Sequence, residues 1–274
     1  MEKIRGHLRK MRARAETPVA YSLPVGDQEL PLNSSLGQTI CIEWAGEISC
    51  IACGRRTSKS FNQGYCYPCF RTLARCDLCV VKPELCHYAQ GTCREPAWGL
   101  ANCMQPHYVY LANSSGLKVG ITRASQVPVR WLDQGAVQAL PIFRVHSRYQ
   151  AGLLEVALKK HVADRTDWRR MLQSEPQPHD LPARRDDLIV RCGEALTTCA
   201  DPSGGNAVTP ADDAMVQTFL YPILAYPPRI TALNLEKTAR VEGTVLGIKG
   251  QYLMLDTGVL NIRKFAGYHV TVTM

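Results

Sequence analysis

Cysteine spacing is the feature that most constrains what this chain can fold into. Of its 12 cysteines, ten lie between Cys41 and Cys103, and six of those ten form three C-x-x-C pairs. These pairs are Cys50/Cys53, Cys66/Cys69 and Cys76/Cys79. A C-x-x-C turn directs two sulfur atoms toward one point, and two such turns complete a tetrahedral zinc site. The pattern predicts a module in which metal replaces part of the hydrophobic core.

The first two pairs predict one complete metal site. The spacing Cys50-x2-Cys53-x12-Cys66-x2-Cys69 is typical of a zinc ribbon or a related knuckle. All four zinc positions are filled by protein ligands, whereas a catalytic zinc keeps one position open. We therefore expect a structural ion. Three further cysteines, Cys41, Cys192 and Cys199, have no matching partners and are interpreted as structural thiols.

A second structural metal site is predicted immediately downstream. The preferred ligands are Cys76, Cys79, Cys86 and Cys93. His87 is an alternative to Cys86, because adjacent side chains rarely bind one ion together, and Cys103 is a further candidate. The C-x2-C-x6-C spacing does not exclude an iron–sulfur cluster. Zinc is favoured because both sites contain C-x-x-C pairs and nothing in the sequence demands redox chemistry.

Charge and hydropathy narrow the class of protein. The formal net charge is +8, which favours polyphosphate partners such as nucleic acid. No apolar run is long enough to span a membrane. The basic N-terminal stretch MEKIRGHLRKMRARAE is not followed by an apolar segment, so it does not resemble a secretory signal. We expect a cytoplasmic protein with reduced cysteines, for which this spacing favours metal over disulfides.

The order of patterns along the chain predicts an α+β protein in five segments. Residues 1–49 contain the basic N-terminus and a β-meander, with corners at Val25–Asp27 and Ala45–Glu47. Residues 50–106 form the double zinc module, and 107–172 form a small α/β domain. Residues 173–215 are a linker with a helix near 184–198 and a Gly-rich break at 201–206. Residues 216–274 are a C-terminal β-domain with glycine-centred corners.

Residues 107–172 show alternating strand and helix patterns in the order β-β-α-β-α. The strands HYVYLA and LKVGIT are joined by the turn Asn113–Gly116, which predicts a hairpin. A short helix is expected from Ser125 through Gln134. The third strand is PIFRVHS, and the helix AGLLEVALKKHVA follows it.

This segment resembles the GIY-YIG nuclease superfamily. Tyr108-Val109-Tyr110 is similar to the GIY strand, and Lys118-Val119-Gly120 is similar to the YIG strand. Arg130 and Glu155 match the family's arginine and its metal-binding glutamate. His161 and the Asp167-Trp168 pair resemble features of smaller, phage-type branches. The whole chain also resembles an uncharacterised bacterial family in which such a core follows a cysteine-rich half.

The resemblance implies phosphodiester hydrolysis assisted by one Mg²⁺ or Mn²⁺ ion. Glu155 would hold the cation, since magnesium often uses one or two carboxylates and keeps several waters. Arg130 would meet the charge that develops on the phosphate, and Tyr110 would act as the base if the site lowers its pKa. Lys118 departs from the family, because many members have a second tyrosine there. A lysine can contact phosphate, but it is also compatible with a branch that binds without cutting.

Each candidate residue also has a purely structural interpretation. Tyr110 alternates inward on its strand and is compatible with a core residue. Glu155 has Lys159 four positions along the helix, which is an ordinary stabilising arrangement. Arg130, Lys118 and His161 are compatible with solvated surface residues.

Three hypotheses about function follow. The first is a metal-dependent endonuclease acting on DNA or RNA, with the zinc half and the C-terminal β-domain positioning the substrate. The second is a catalytically degenerate module that binds nucleic acid through basic residues. The third is a zinc-stabilised protein–protein adaptor.

Overall fold

The computed structural model describes the backbone of residues 3–198 and 208–274, and their side chains except those of 194–198. Cys199 and the break predicted at 201–206 lie outside the described residues. The strands are β1 Lys3–His7, β2 Arg12–Arg14, β3 Ala20–Val25, β4 Gln28–Pro31, β5 Thr39–Ser49, β6 Arg56–Thr57, β7 His107–Asn113, β8 Leu117–Arg123, β9 Gln138–Val145, β10 Thr209–Pro210, β11 Gln217–Thr218, β12 Arg240–Lys249, β13 Tyr252–Leu255, β14 Gly258–Asn261 and β15 Tyr268–Thr273.

The helices contain fewer residues in total than the strands, and most of them are short. They are α1 Tyr67–Thr72, α2 Pro96–Asn102, α3 Val129–Asp133, α4 Arg148–Leu158, α5 Trp168–Met171 and α6 Leu181–Thr198. Short 3₁₀ turns at Ala74–Cys76, Leu78–Val80 and Pro83–Leu85 connect α1 to α2. No helix among the described residues is both long and apolar enough to cross a membrane.

The strands form several antiparallel sheets, and helices connect and cover them. The architecture is therefore a mixed fold of helices and sheets. The largest sheet has the order β1-β15-β5-β12-β13-β14, with the short β6 beside β5. A second sheet has the order β10-β9-β7-β8, and β11 pairs with β9 along the same edge as β10. Strands β2, β3 and β4 form a third, small sheet.

The two ends of the chain meet in the largest sheet. Strand β15 lies between β1 and β5, with Ile4 opposite Val272 on one side and Ile42 opposite Val272 on the other. The N-terminal meander and the C-terminal β-domain of the sequence analysis therefore share one sheet. The five-segment division of the chain otherwise stays a prediction.

One corner predicted in the N-terminal meander is instead part of a continuous strand. Gly26, with φ +59°, turns the chain between β3 and β4 as expected. Gly46 lies inside β5, and the register shifts there, because Trp44 pairs with Val270 and Ile48 with Tyr268. The φ of +80° at Gly46 lets the backbone form a bulge, so β5 continues rather than turning.

The second sheet separates two parts of the hydrophobic core. Alternate residues Val109 and Leu111 of β7 face a cluster that includes Leu154 of α4 and Leu188 of α6. On its opposite face, Tyr110 packs with residues of the largest sheet in the main cluster. This period-2 alternation places Tyr110 on the side away from α4 and α6.

The helices around this sheet begin and end differently from the sequence prediction. The helix expected at Ser125–Gln134 is reduced to α3, which starts at Val129, and a 3₁₀ turn covers Ala124–Gln126. Helix α6 starts at Leu181, where the Asp180 carboxylate accepts a hydrogen bond from the Ala183 N–H (3.0 Å) and so caps the first turn.

Helix α4 docks directly on the cysteine-rich module. A Cβ at Gly152 would lie 2.5 Å from Pro83 Cβ and 2.8 Å from Glu84 N, so only glycine permits this approach. The Arg148 guanidinium at the start of α4 donates to the Val80 carbonyl (2.5 Å). The module thus supports the helix that carries Glu155.

Candidate metal centre and basic cleft

The four cysteines of the first predicted site come together in the structure. Cys50 follows β5, Cys53 lies in the turn after it, and Cys66 and Cys69 flank the start of α1. Their sulfur atoms all lie within 4.8 Å of one another, and Cys53 Sγ is 3.7 Å from Cys66 Sγ. Four thiols converging from two turns match the ligand set of a structural zinc ion. This cluster could hold zinc.

Backbone groups around Cys50 favour its thiolate form. Burial raises the pKa of the Cys50 thiol, but backbone hydrogen bonds at Cys66, Cys53 and Ala52 outweigh it and lower the pKa to about 6. Thiolate is the form that binds metal.

A second group of cysteines surrounds a small cavity of about 10 Å³. Its sulfur-bearing lining residues are Cys79, Cys86, Cys93 and Cys103. Burial, and then the nearby charges of Asp77 and these cysteines, raise the pKa of Cys79 to about 11. Cys76, a preferred ligand in the sequence analysis, does not line this cavity and has the Asn62 side chain as a hydrogen-bond partner.

His87 and Asp77 lie beside the same cavity. Asp77, Cys79 and His87 each offer one ligand atom within 4.8 Å of the others. Both ring nitrogens of His87 already face polar partners, since Nδ1 is 2.7 Å from Thr92 Oγ1 and Nε2 is 3.4 Å from Asp77 Oδ2. Asp77 is also paired with Arg94 at 2.7 Å. Because His87 and Asp77 already have polar partners, the cysteine thiols are the better candidates for metal ligands at this cavity.

A separate cleft of about 720 Å³ collects the residues of the GIY-YIG resemblance. Tyr110, Lys118, Arg130 and Glu155 all line it. Tyr110 and Lys118 come from the same face of β7 and β8, Arg130 from α3 and Glu155 from α4. Four residues from four different elements therefore line one cleft.

The cleft is strongly basic. Its lining includes eight lysines and arginines: Arg9, Lys10, Arg75, Lys118, Arg123, Arg130, Arg148 and Arg263. Only three lining residues are acidic: Asp133, Glu155 and Asp164. The basic residues come from connections between the strands of the largest sheet, from the cysteine-rich module, and from the second sheet with its helices. Three parts of the fold therefore contribute to one positive surface. Tyr65 and Trp98 add aromatic rings to the lining.

Tyr110 and Lys118 share one acceptor. The Tyr110 hydroxyl and the Lys118 ammonium each donate to Gln134 Oε1 at 2.8 Å. Gly120 lies opposite Tyr110 in the hairpin, and a Cβ there would be 2.7 Å from the Tyr110 oxygen. The glycine of the YIG-like strand is therefore what makes room for the tyrosine hydroxyl.

Burial shifts the pKa values of these two groups in opposite directions. It raises the pKa of Tyr110, an effect that Arg130 opposes, so the phenol keeps its proton near neutral pH. The condition under which Tyr110 would act as the base, a lowered pKa, is therefore not met. Lys118 is 3% exposed, and burial together with the Arg130 charge lowers its pKa to about 8. Lys118 consequently titrates close to physiological pH.

A second carboxylate lies near Glu155. Burial raises the pKa of Glu155, Arg148 lowers it, and Asp164 raises it. Asp164 belongs to the segment after α4 that runs beside β8, where the Val119 N–H donates to the Ala163 carbonyl (2.7 Å). A hard divalent cation binds one or two carboxylates of this kind.

His161 does not join this group. It is exposed beyond the end of α4 and is not part of the cleft lining. Sequence reasoning also missed Gln134 and Asp164, because neither stands in a recognisable motif. The only signal for Gln134 is its position just before Gly135, at the end of the short helix that carries Arg130.

The fold and its sites define a mixed α/β protein with a four-cysteine cluster that could hold zinc. Residues 37–270 match the family model described as protein of unknown function (DUF2797), and the chain belongs to this family. The expectation of an uncharacterised family is thereby confirmed. No curated protein and no solved structure matches the chain significantly.

Proposed function

We propose that this protein is a zinc-containing, divalent-metal-dependent endonuclease of the GIY-YIG type that hydrolyses phosphodiester bonds in DNA or RNA. The observation that carries the proposal is the shared cleft of Tyr110, Lys118, Arg130 and Glu155. Its excess of lysines and arginines suits a polyanion, and its aromatic residues suit exposed bases.

Each of the four residues has a role compatible with its surroundings. Arg130 offers a forked set of donors to the scissile phosphate. The protonated form of Lys118 adds positive charge beside it, which stabilises the charge that develops during hydrolysis. Tyr110 keeps its own proton and orients the attacking water through its oxygen. The role of Lys118 replaces that of the second tyrosine in the resemblance.

Glu155 and Asp164 are the proposed ligands of a Mg²⁺ or Mn²⁺ ion. The electrostatic coupling between the two carboxylates supports this assignment, as does the preference of Mg²⁺ for one or two carboxylates and several waters. Such an ion supplies a Lewis acid next to the phosphate. The raised pKa of Glu155 means that its deprotonated form, and therefore metal binding, is lost at less acidic pH than for an exposed glutamate.

The decisive experiment is a cleavage assay with Mg²⁺ or Mn²⁺ on supercoiled plasmid and on structured RNA. Wild type is compared with Glu155→Gln and with Glu242→Gln, an exposed glutamate on β12 outside the cleft. We expect wild type and Glu242→Gln to cut, and Glu155→Gln to lose cutting while keeping its thermal stability. Cutting that persists in pure Glu155→Gln protein contradicts the proposal.

The binding and adaptor hypotheses predict other outcomes of the same assay. A protein that does not cut but binds nucleic acid with an affinity that falls steeply with salt is a degenerate binding module. A protein that does neither fits an adaptor that recognises other proteins. Binding is measured on wild type and on Arg130→Ala over a range of potassium chloride concentrations.

Two structural zinc ions are part of the proposal. The first is held by Cys50, Cys53, Cys66 and Cys69. The second would lie in the small cavity lined by Cys79, Cys86 and Cys93, which are its ligands because both the spacing and the cavity lining include them. The fourth ligand is Cys103 according to the lining and Cys76 according to the spacing.

Metal analysis of purified variants separates these alternatives. Wild type should contain two zinc ions per chain. Of Cys103→Ser and Cys76→Ser, the variant that removes a true ligand should lose one ion, and the other should retain both. His87→Asn serves as the control for the Asp77–Cys79–His87 group, and zinc loss in that variant would exclude the four-thiol set. Iron in place of zinc would be visible in the absorption spectrum.

A further inference from the structure

Gln134 lies between two residues of the cleft, Tyr110 and Lys118, and the turn that connects β12 to β13. It follows α3 directly, and its N–H bonds back to the Trp131 carbonyl (3.1 Å), which closes the end of that helix. Its side chain reaches Tyr110 on β7 and Lys118 on β8. None of the family-like motifs contains it.

The chemistry of Lys118 determines which way the Gln134 amide points. An ammonium group has donors only, so the atom 2.8 Å from Lys118 Nζ must be the amide oxygen. The Tyr110 hydroxyl contacts the same oxygen and must therefore donate to it. The phenol proton is thus held toward Gln134, so the Tyr110 oxygen accepts hydrogen bonds on its cleft side, where the Arg130 side chain already donates to it.

The largest sheet holds the backbone around Gln134. Gly250, in the turn between β12 and β13, has φ +61°, and a Cβ there would lie 3.1 Å from the Asp133 carbonyl oxygen. Gln251 donates to Asp133 Oδ1 (2.8 Å) and to the Met11 carbonyl (2.9 Å). Lys10 pairs with Asp133 Oδ2 at 2.6 Å. The residue before Gln134 is therefore anchored from two separate strand connections.

We infer that Gln134 is a positioning residue that orients Tyr110 and Lys118 for catalysis, and that the turn at Gly250 and Gln251 makes the largest sheet part of the active site. This inference rests on the proposed nuclease function. It assigns the C-terminal strands a role in the reaction beyond contributing positive charge to the cleft.

Two substitutions of Gln134 act on Lys118 in opposite directions. Gln134→Glu keeps an acceptor oxygen and adds a negative charge, whereas Gln134→Met removes the acceptor. The other charged groups that affect Lys118 are Arg130, which lowers its pKa, and Glu155 and Asp164, which raise it. These are unchanged in both variants. Gln138→Met is the matched control, since Gln138 is half-buried on β9 and bonds to the chain at His179 outside the cleft.

The first readout is the titration of Lys118 followed by NMR, with the signal assigned by its loss in Lys118→Arg. Gln134→Glu should raise the proton affinity of Lys118 about tenfold or more, Gln134→Met should lower it, and Gln138→Met should leave it unchanged. A titration that does not move in either Gln134 variant overturns the inference, whatever the protein cleaves.

The second readout is cleavage as a function of pH. Gln134→Met should lower kcat about 100-fold, because the reacting groups lose their orientation, with a much smaller effect on KM. Gln134→Glu should retain more activity and shift the alkaline decline of kcat/KM to higher pH. Equal rates in wild type and Gln134→Met overturn the inference, whereas a wild type that does not cleave contradicts the proposed function instead.

Discussion

At the scale of single residues, Lys118 is held in a position that costs stability. The residue is 3% exposed and its ammonium group donates to Gln134 Oε1. None of the ion pairs among the described residues includes Lys118. Burial lowers its pKa from 10.5 to about 8. A buried charge that is kept without a carboxylate in direct contact is expected where the charge itself is used.

Lys118→Met should therefore stabilise the fold while abolishing cleavage. We expect the free energy of unfolding at pH 7 to rise by about 1–3 kcal/mol, since the substitution removes a poorly solvated charge. Urea denaturation and the plasmid assay measure the two effects. Lys249→Met is the matched control: Lys249 is equally buried but lies outside the cleft, so cleavage should be retained. A destabilised Lys118→Met would contradict this account.

The stability difference between Lys118→Met and wild type should depend on pH. The pKa of Lys118 is lower in the folded protein than in the unfolded chain, so between about pH 8 and 10.5 the unfolded state holds more protons. Wild-type stability from this group therefore rises with pH across that window. Denaturation at pH 7 and at pH 10 should show the advantage of Lys118→Met shrinking, and an advantage that stays constant would mean that the lysine is not buried in its charged form.

Cleavage by wild type should decline above about pH 8. The proposed role of Lys118 needs its protonated form, and kcat/KM reports the ionisation of the free enzyme. Lys118→Arg keeps the charge at all accessible pH values, so any activity that it retains should lack this alkaline decline. A rate that increases through pH 8 in wild type would instead indicate that the neutral amine of Lys118 acts as a base.

Several residues that line the cleft could be selected from the sequence, because their order along the chain is informative. Tyr110, Arg130 and Glu155 follow one another in a β-β-α-β-α frame, and the structure brings them into one cleft. Asp164 and Gln134 were not accessible in this way. Asp164 reaches the cleft only because the segment after α4 pairs with β8 at Ala163, which is a tertiary contact without a local pattern.

At the scale of elements, the contact between α4 and the cysteine-rich module depends on one glycine. Gly152→Ala should push α4 away from Pro83 and Glu84 and lower the free energy of unfolding by about 1–3 kcal/mol. Gly193→Ala is the control in a second helix, since a Cβ there meets no described atom within 4 Å. Because alanine favours helix, Gly193→Ala should raise stability by about 0.5–1 kcal/mol. Chemical denaturation measures both, and changes of the same sign would contradict the docking geometry.

The type of each element was more predictable than its boundaries. The hairpin β7–β8 follows its alternating pattern and turn residues closely. The helix before β9 is shorter than the expected Ser125–Gln134, because it begins only after Pro128. In β5, Gly46 looked like a corner, yet β15 pairs with β5 before and after it, at Trp44 and Ile48, and the chain stays extended through a bulge.

At the scale of the whole molecule, zinc should support the cleft as well as the cysteine-rich module. Arg75 and Tyr65 of the module line the cleft, and the module contacts α4. Cys53→Ser should release one zinc ion, lower Tm and weaken nucleic-acid binding. The control Cys41→Ser changes a half-buried thiol on β5 outside both cysteine groups and should leave zinc content and binding unchanged. Unaltered affinity in a zinc-depleted Cys53→Ser protein would show that the cleft does not need the module.

Long-range pairing is the part of the architecture that the sequence did not reveal. Strand patterns were recognised in both terminal segments, but local alternation carries no information about which strands become neighbours. The pairing of β15 with both β1 and β5 depends on side-chain fit across residues that are more than 200 positions apart. The same limit applies to Arg9 and Arg263, whose positions in the cleft follow from that sheet.

The insertion of β15 between β1 and β5 has a consequence for how the protein is made. A ribosome releases β1 and β5 long before it releases β15, so neither strand has this partner while most of the chain is being synthesised. The wall that carries Arg9 and Arg263 can close only once β15 has emerged. A growing chain therefore lacks the complete basic cleft until its last strand has been made, and a nascent polypeptide still attached to messenger RNA does not carry the finished positive surface.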